Sequence, residues 1–154
     1  MEKCEIESMA AVRTMTVDDI AYIAKIEKDC FSIPWSEQAF EESLRLPHAH
    51  FLVVECQGKL AGYVGMYKTV DEGDITNIAV SPQFRRLGMA EKLLDRLIEM
   101  SMELAITRIN LEVRESNSTA IALYEKKGFT NLGIRKNFYE KPTENAIIMA
   151  KYLS

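Results

Sequence analysis

The spacing of apolar residues changes along the chain, and each change marks an element. AAVRTMT (10–16) is a short apolar stretch that predicts a strand. From Thr16 to Phe31 the period becomes helical, with Ile20, Ile23, Ala24 and Ile26 on one face. Thr16 followed three residues later by Asp19 has the form of a capping box at its start. SIPW breaks this pattern. Ser36 then caps a second, short helix that runs to Leu44, and Pro47 ends it. HFLVVEC and KLAGYVGMYKTV predict two strands joined at Gln57–Gly58, a hairpin. DEGD (71–74) predicts a turn into a third strand, ITNIAV (75–80).

The clearest helix is MAEKLLDRLIEMSMEL, where Ala90, Leu93, Leu94, Leu97 and Ile98 fall at helical spacing. TRINLEVRES alternates, with Ile109, Leu111 and Val113 on one side and Asn110, Glu112 and Arg114 on the other. NSTAIALYEKKGF predicts a short helix ended by Gly128, with Phe129 as the apolar contact beyond it. FTNLGIRKNFY and NAIIMAKYL predict two last strands around the turn EKPTE. The order β-α-α-β-β-β-α-β-α-β-β implies an α/β fold, a mixed sheet covered by helices on both faces. Residues 1–8 are polar and read as a flexible tail, and 9–154 read as a single domain.

Composition narrows the function classes. The chain has 154 residues, 47% hydrophobic and 27% charged, enough for a packed core and unlike a disordered chain. Its net charge of −4 argues against direct nucleic-acid binding, which needs a basic face. The three cysteines, Cys4, Cys30 and Cys56, form no CxxC or Cys/His spacing, so neither a disulfide framework nor a metal site is expected. No leader-like or membrane-spanning apolar run occurs, which gives the expectation of a cytoplasmic protein without a membrane partner.

Candidate chemistry starts at AVSPQFRRLGMAEKLL, where a strand feeds a helix through a loop. Pro82 stops the strand. The first amides of the helix have no intrahelical acceptors and lie at the positive end of its dipole, so an anion is stabilised there. Gly88 lets a phosphate approach the backbone, Ala90 is nearly as small, and Arg85 and Arg86 can add charge. Neither the dinucleotide fingerprint nor the P-loop pattern is met. Taken alone, the stretch fits a solvated turn as well as an anion cradle.

The pattern R-x-x-G-x-A between strand and helix resembles the Q/R-x-x-G-x-G/A signature of the GCN5-related N-acetyltransferase (GNAT) superfamily. With DCFSIPWSEQAF, TNIAVSPQFRRLGMAEKLL, LEVRESNSTAIALYEKKGF and IRKNFYEKPTENAIIMA, the chain from about Val12 onward resembles the RimI-type ribosomal-protein-alanine N-acetyltransferases. The resemblance implies a mostly antiparallel sheet splayed between its fourth and fifth strands, where acetyl-CoA enters. It implies backbone pairing of Ile78, Ala79 and Val80 with the pantetheine arm. Arg86, Leu87, Gly88, Met89, Ala90 and Glu91 would hold the pyrophosphate with help from Arg85, and Asn117 would contact the cofactor. Ala90 stands where many family members have glycine, so a shifted cofactor is to be sought there first.

Glu112 corresponds to the family's general base and Tyr124 to its general acid. An α-amine with a pKa near ~8 is mostly protonated at neutral pH, and a carboxylate can take its proton as it attacks the thioester. A tyrosine hydroxyl can return a proton to the departing thiolate. On their own, a polar strand position such as Glu112 also fits a solvated face, Tyr124 also fits a core tyrosine, and Asn117 a plain helix cap. Trp35 and Tyr139, the latter beside the acidic turn Glu140–Glu144, are weaker candidates for the acceptor side.

The implied activity is acetyl transfer to a protein α-amine, most specifically the N-terminal alanine of a small-subunit ribosomal protein, with no metal. A lysine or small-amine (polyamine or antibiotic) acetyltransferase would share the cofactor half. A non-catalytic acyl-CoA sensor would keep the cradle without needing both Glu112 and Tyr124.

Overall fold

The computed structural model describes residues 9–153. The expected tail at 1–8 and Cys4 lie outside the described residues. A single seven-stranded sheet has the order β1-β2-β3-β4-β5-β7-β6, with β1 Ala10–Thr14, β2 Ala49–Cys56, β3 Lys59–Thr69, β4 Glu72–Val80, β5 Arg108–Arg114, β6 Thr130–Tyr139 and β7 Glu144–Tyr152. Every pairing is antiparallel except β4 with β5.

Among the described residues, α-helices α1 Ile20–Cys30, α2 Glu37–Leu44, α3 Met89–Glu103 and α4 Ser118–Lys126 cover the sheet. One core layer joins Ile20, Ile23, Ile26 and Phe40 of α1 and α2 to Phe51, Val53 and Tyr63. The other joins Leu93, Leu94, Leu97 and Tyr124 of α3 and α4 to Ile109, Leu111, Val113 and Met149. Both faces of the sheet are therefore buried, as the mixed topology requires.

Local chemistry fixes the helix ends. The Thr16 amide donates to Asp19 Oδ2 (2.8 Å), completing a capping box around the 3₁₀ turn Val17–Asp19 that opens α1. Ser36 Oγ accepts from Ala39 N at the start of α2 (3.1 Å). At the end of α4, Gly128 has φ +94°, its N–H donates to Glu125 O, and Phe129 N–H donates to Tyr124 O. That is a Schellman motif, and its apolar contact is the Phe129 ring on Tyr124 (5.7 Å between centroids).

One expected turn is a strand. Only Asp71 of DEGD belongs to the turn; β4 already begins at Glu72, and the reversal lies at Val70–Asp71. The polar residues are accommodated because this end of β4 pairs on both sides, with β3 and with β5. Gly73 fits closely there: a Cβ would come within 2.6 Å of Met66 Sδ, so the Met66 side chain would have to shift. Tertiary pairing overrides the turn propensity of the tetrapeptide.

Candidate active site

The β4–β5 ladder is short. Glu72, Gly73 and Asp74 pair with Arg108, Ile109 and Asn110, and pairing then stops. From Ile75 to Val80, β4 keeps its β3 partner while its other edge parts from β5. The strands open onto a cleft of about 690 Å³, lined on the β4 side by Ile75–Ile78 and on the β5 side by Leu111–Arg114. Trp35 lines it from the segment before α2, Asn117 and Tyr124 from α4, and Tyr139 from β6.

The strand leading to the loop is oriented by its bonds. Ser81 N–H donates back to Ala61 O (2.7 Å), and Ala79 lies opposite Tyr63 in the ladder. By alternation Ile78 and Val80 turn their N–H and C=O groups to the open edge. The Val80 carbonyl there accepts from Arg85 Nε (3.3 Å) and Cys30 Sγ (3.5 Å).

After the 3₁₀ turn Pro82–Phe84, Arg86 has φ +63° and Gly88, the N-cap of α3, has φ +81°. A left-handed residue followed by helical ones is the geometry of a backbone nest, whose successive N–H groups converge on an anion. The amides of Met89, Ala90 and Glu91 form the unpaired first turn of α3. Arg85 is turned away from this nest, its guanidinium reaching Cys30 Sγ (3.3 Å). Arg86 is exposed and forms no ion pair among the described residues. The Glu91 side chain is committed elsewhere, to Lys126 (3.0 Å) and Lys127 (2.8 Å), and the Lys127 and Lys126 ammonium groups hold its carboxyl below the usual range.

Glu112 sits on β5 between the buried Leu111 and Val113, about one-third exposed, and pairs with Arg135 Nη1 at 3.6 Å. Tyr124 is 5% exposed, and burial pushes its hydroxyl pKa well above the usual value, with Tyr139 adding to the shift. Asn117 caps α4, its Oδ1 accepting from Ala120 N (3.2 Å), so one of its polar atoms is already used. Tyr139 is raised to about 12 by burial first, then by Glu112 and Glu144, against the opposing Arg114.

Several residues that shape the site were not singled out from sequence. Arg114 stacks on the Tyr139 ring (4.5 Å), donates to Pro142 O (3.0 Å) and Glu140 O (2.9 Å), and pairs with Glu144 (3.1 Å). It thereby holds the β6–β7 tip as one wall of the cleft. On the other wall Glu27, 2% exposed, gathers Tyr63, Asn77 and Trp35. A signal for Glu27 was present: it shares the α1 stripe of Ile23, Ile26 and Cys30, where a charged residue is out of place.

A sheet parted beside a nest at a helix start is the arrangement on which the comparisons bear. The acetyltransferase (GNAT) family matches residues 20–129. The chain belongs to that family. A Bacillus subtilis (strain 168) protein is 42% identical over 145 residues, 94% of this chain and 96% of its own, and carries the provisional name ribosomal protein bS18-alanine N-acetyltransferase. The ribosomal protein bS18-alanine N-acetyltransferase of Escherichia coli (strain K12) is 35% identical over 150 residues, 95% of this chain and 99% of its own. The crystal structure of the ribosomal-protein-S18-alanine N-acetyltransferase from Escherichia coli superposes with a TM-score of 0.89 at 34% identity, covering 95% of each chain.

This GNAT chain is therefore an enzyme, an acetyltransferase. Enzymes of the family use acetyl-CoA as cosubstrate. The expected sheet, mostly antiparallel with a splay between its fourth and fifth strands, is the one observed. No helix among the described residues is long and apolar enough to cross a membrane.

Proposed function

We propose that the protein transfers acetyl from acetyl-CoA to the N-terminal α-amine of a protein, the N-terminal alanine of a small-subunit ribosomal protein. The observation that carries this reading is the likeness, over nearly the whole of each chain, to proteins named as ribosomal protein bS18-alanine N-acetyltransferases. Residues 9–154 then act as one N-acetyltransferase domain.

The residues present fit the cosubstrate. The open edge of β4 offers backbone groups at Ile78 and Val80 to an extended amide-bearing arm, while Ala79 holds the strand to β3. The amides from Arg86 through Leu87, Gly88, Met89, Ala90 and Glu91 suit a pyrophosphate, and the exposed Arg86 guanidinium can add to it. Arg85 acts at one remove, by fixing the end of β4. Asn117, at the mouth of α4, contacts the arm with the polar atom its cap leaves over.

Acetyl-CoA supplies a thioester-activated acetyl group. Glu112, as general base, takes the proton from the acceptor ammonium, directly or through a water molecule, as the amine attacks. Tyr124, as general acid, presents a hydroxyl that burial keeps protonated, and returns a proton to the leaving sulfur. Trp35 and Tyr139 stand on opposite walls of the cleft and border the acceptor.

The test is to incubate the protein with acetyl-CoA and an alanine-starting basic peptide, in competition with an N-blocked lysine peptide and a polyamine, and to weigh the products. Acetyl gain on the α-amine of the alanine peptide is expected. Preferential acetylation of lysine or polyamine, or cofactor binding with no transfer to any amine, would sink the reading.

A further inference from the structure

The buried carboxylate of Glu27 takes no part in the proton transfers above, yet it lies in the wall of the cleft. It accepts from three donors on three segments: the Tyr63 hydroxyl of β3, the Trp35 backbone N–H before α2 (3.0 Å), and Asn77 Nδ2 of β4 (3.5 Å). Asn77 Nδ2 also lies 2.8 Å from Tyr63 Oη, and Asn77 Oδ1 accepts from the Thr76 hydroxyl (2.6 Å). Burial and the neighbouring Glu27 push the Tyr63 pKa upward, so the phenol stays a donor.

Among the described residues no Lys, Arg or His forms an ion pair with Glu27. A buried carboxylate without a cationic partner is costly even when hydrogen-bonded, and packing alone would be served as well by an apolar residue of similar volume. What the carboxylate gains is placement. Trp35, Thr76 and Asn77 all line the cleft, and Glu27 ties two of them directly. The Trp35 ring rests on Phe40 (5.3 Å) and Phe51 (6.2 Å), and its backbone is held at one point by Glu27. The segment 31–35 that carries the exposed Phe31 and Ile33 is anchored through the same bond.

We propose that Glu27 is a positioning residue for the acceptor amine, acting through Trp35 and Asn77 to set the cleft wall opposite Glu112. It moves no proton and touches no cosubstrate. The inference rests on the acceptor entering on the Trp35 side, as proposed above, and it deepens that reading by naming what fixes the wall.

The full chain carrying Glu27→Gln is compared with the unaltered protein in steady-state kinetics, varying acceptor and acetyl-CoA separately. An amide keeps the shape but turns one donor toward donors. The KM for the acceptor peptide should rise by ~10-fold, while the KM for acetyl-CoA and the melting temperature stay nearly unchanged. Tyr63→Phe removes one donor, keeps the ring against Phe40 (5.5 Å between centroids), and should give the same split in weaker form. It carries the test if Glu27→Gln does not fold. An unchanged acceptor KM in a folded variant, or a parallel rise in both KM values, overturns the proposal. The unaltered protein separates the two readings: if it acetylates another amine better than the peptide, the acceptor assignment fails and the same comparison is made with that amine.

Discussion

Glu112 and Tyr124 come from opposite faces of the sheet and line the same cleft. Glu112 projects from β5 on the side away from Leu111 and Val113, whereas Tyr124 packs in the α3–α4 core with those two residues. In a continuous sheet the two could not meet. They share the cleft because β4 and β5 part beyond the Asp74–Asn110 pair.

On the proposed roles, Glu112→Gln should slow acetyl transfer by ~10²-fold or more with acetyl-CoA affinity nearly intact. Calorimetric binding beside single-turnover kinetics checks this. Arg135 is its partner at 3.6 Å, but half-exposed, so Arg135→Ala should change turnover far less.

Tyr124→Phe should lower kcat by ~10-fold or more while leaving the fold in place, since the ring and its contact with Phe129 are kept. Because burial raises the Tyr124 pKa, ionisation of this residue should cause no fall in kcat between neutral pH and the ordinary tyrosine range near 10. A pH–rate profile of both proteins decides. An alkaline limb below pH ~10 that vanishes in the variant would contradict the raised pKa, and an unchanged kcat in the variant would contradict the acid role.

Arg114→Ala removes a stacking contact, two carbonyl bonds and an ion pair from the β6–β7 tip at once. Charge-assisted bonds of this kind contribute roughly 1–3 kcal/mol in total where they are partly buried. The melting temperature should fall, and faster hydrogen exchange should be confined to 139–145. Uniform loosening of the whole chain would show that Arg114 is not a local anchor.

Acid should destabilise the protein through identifiable groups. Asp19 is held below its ordinary 3.8 by the Arg13 guanidinium, and Glu91 below its ordinary 4.5 by Lys127 and Lys126. A depressed carboxylate contributes its full stabilisation above the unfolded pKa and loses it as pH falls through the lower folded value. Melting temperature should therefore drop as pH falls below 4.5, and Asp19→Asn should flatten part of that slope. An unchanged slope in the variant would exclude the Arg13–Asp19 pair as a source.

The elements were legible where one residue type forces one local geometry. Thr16 with Asp19, Ser36, Gly128 with Phe129, and the alternation around Glu112 announced their structures because each acts within a few residues. The start of β4 was not legible, because Glu72–Asp74 are strand only through partners at 67–69 and 108–110. The candidate site divides in the same way. The turn at Gly88 is local, and its sequence raised an anion cradle beside a plain solvated turn. The anchoring by Glu27 and Arg114 depends on donors and carbonyls that are distant in the chain; the apolar stripe around Glu27 marks the residue but not its partners, and nothing near Arg114 marks its own.

The brevity of the β4–β5 ladder has a price in backbone bonding that side chains offset. Asn110 Nδ2 reaches Glu72 (3.1 Å) and Asp74 (3.0 Å), Arg108 approaches Glu72 (3.6 Å), and Thr107 bonds Asp71 through both backbone and hydroxyl. These polar residues read in sequence as turn and solvent face. In the folded chain they are sutures along the one line where the sheet is divided, and they let its two halves stay in register while the gap beyond them remains open.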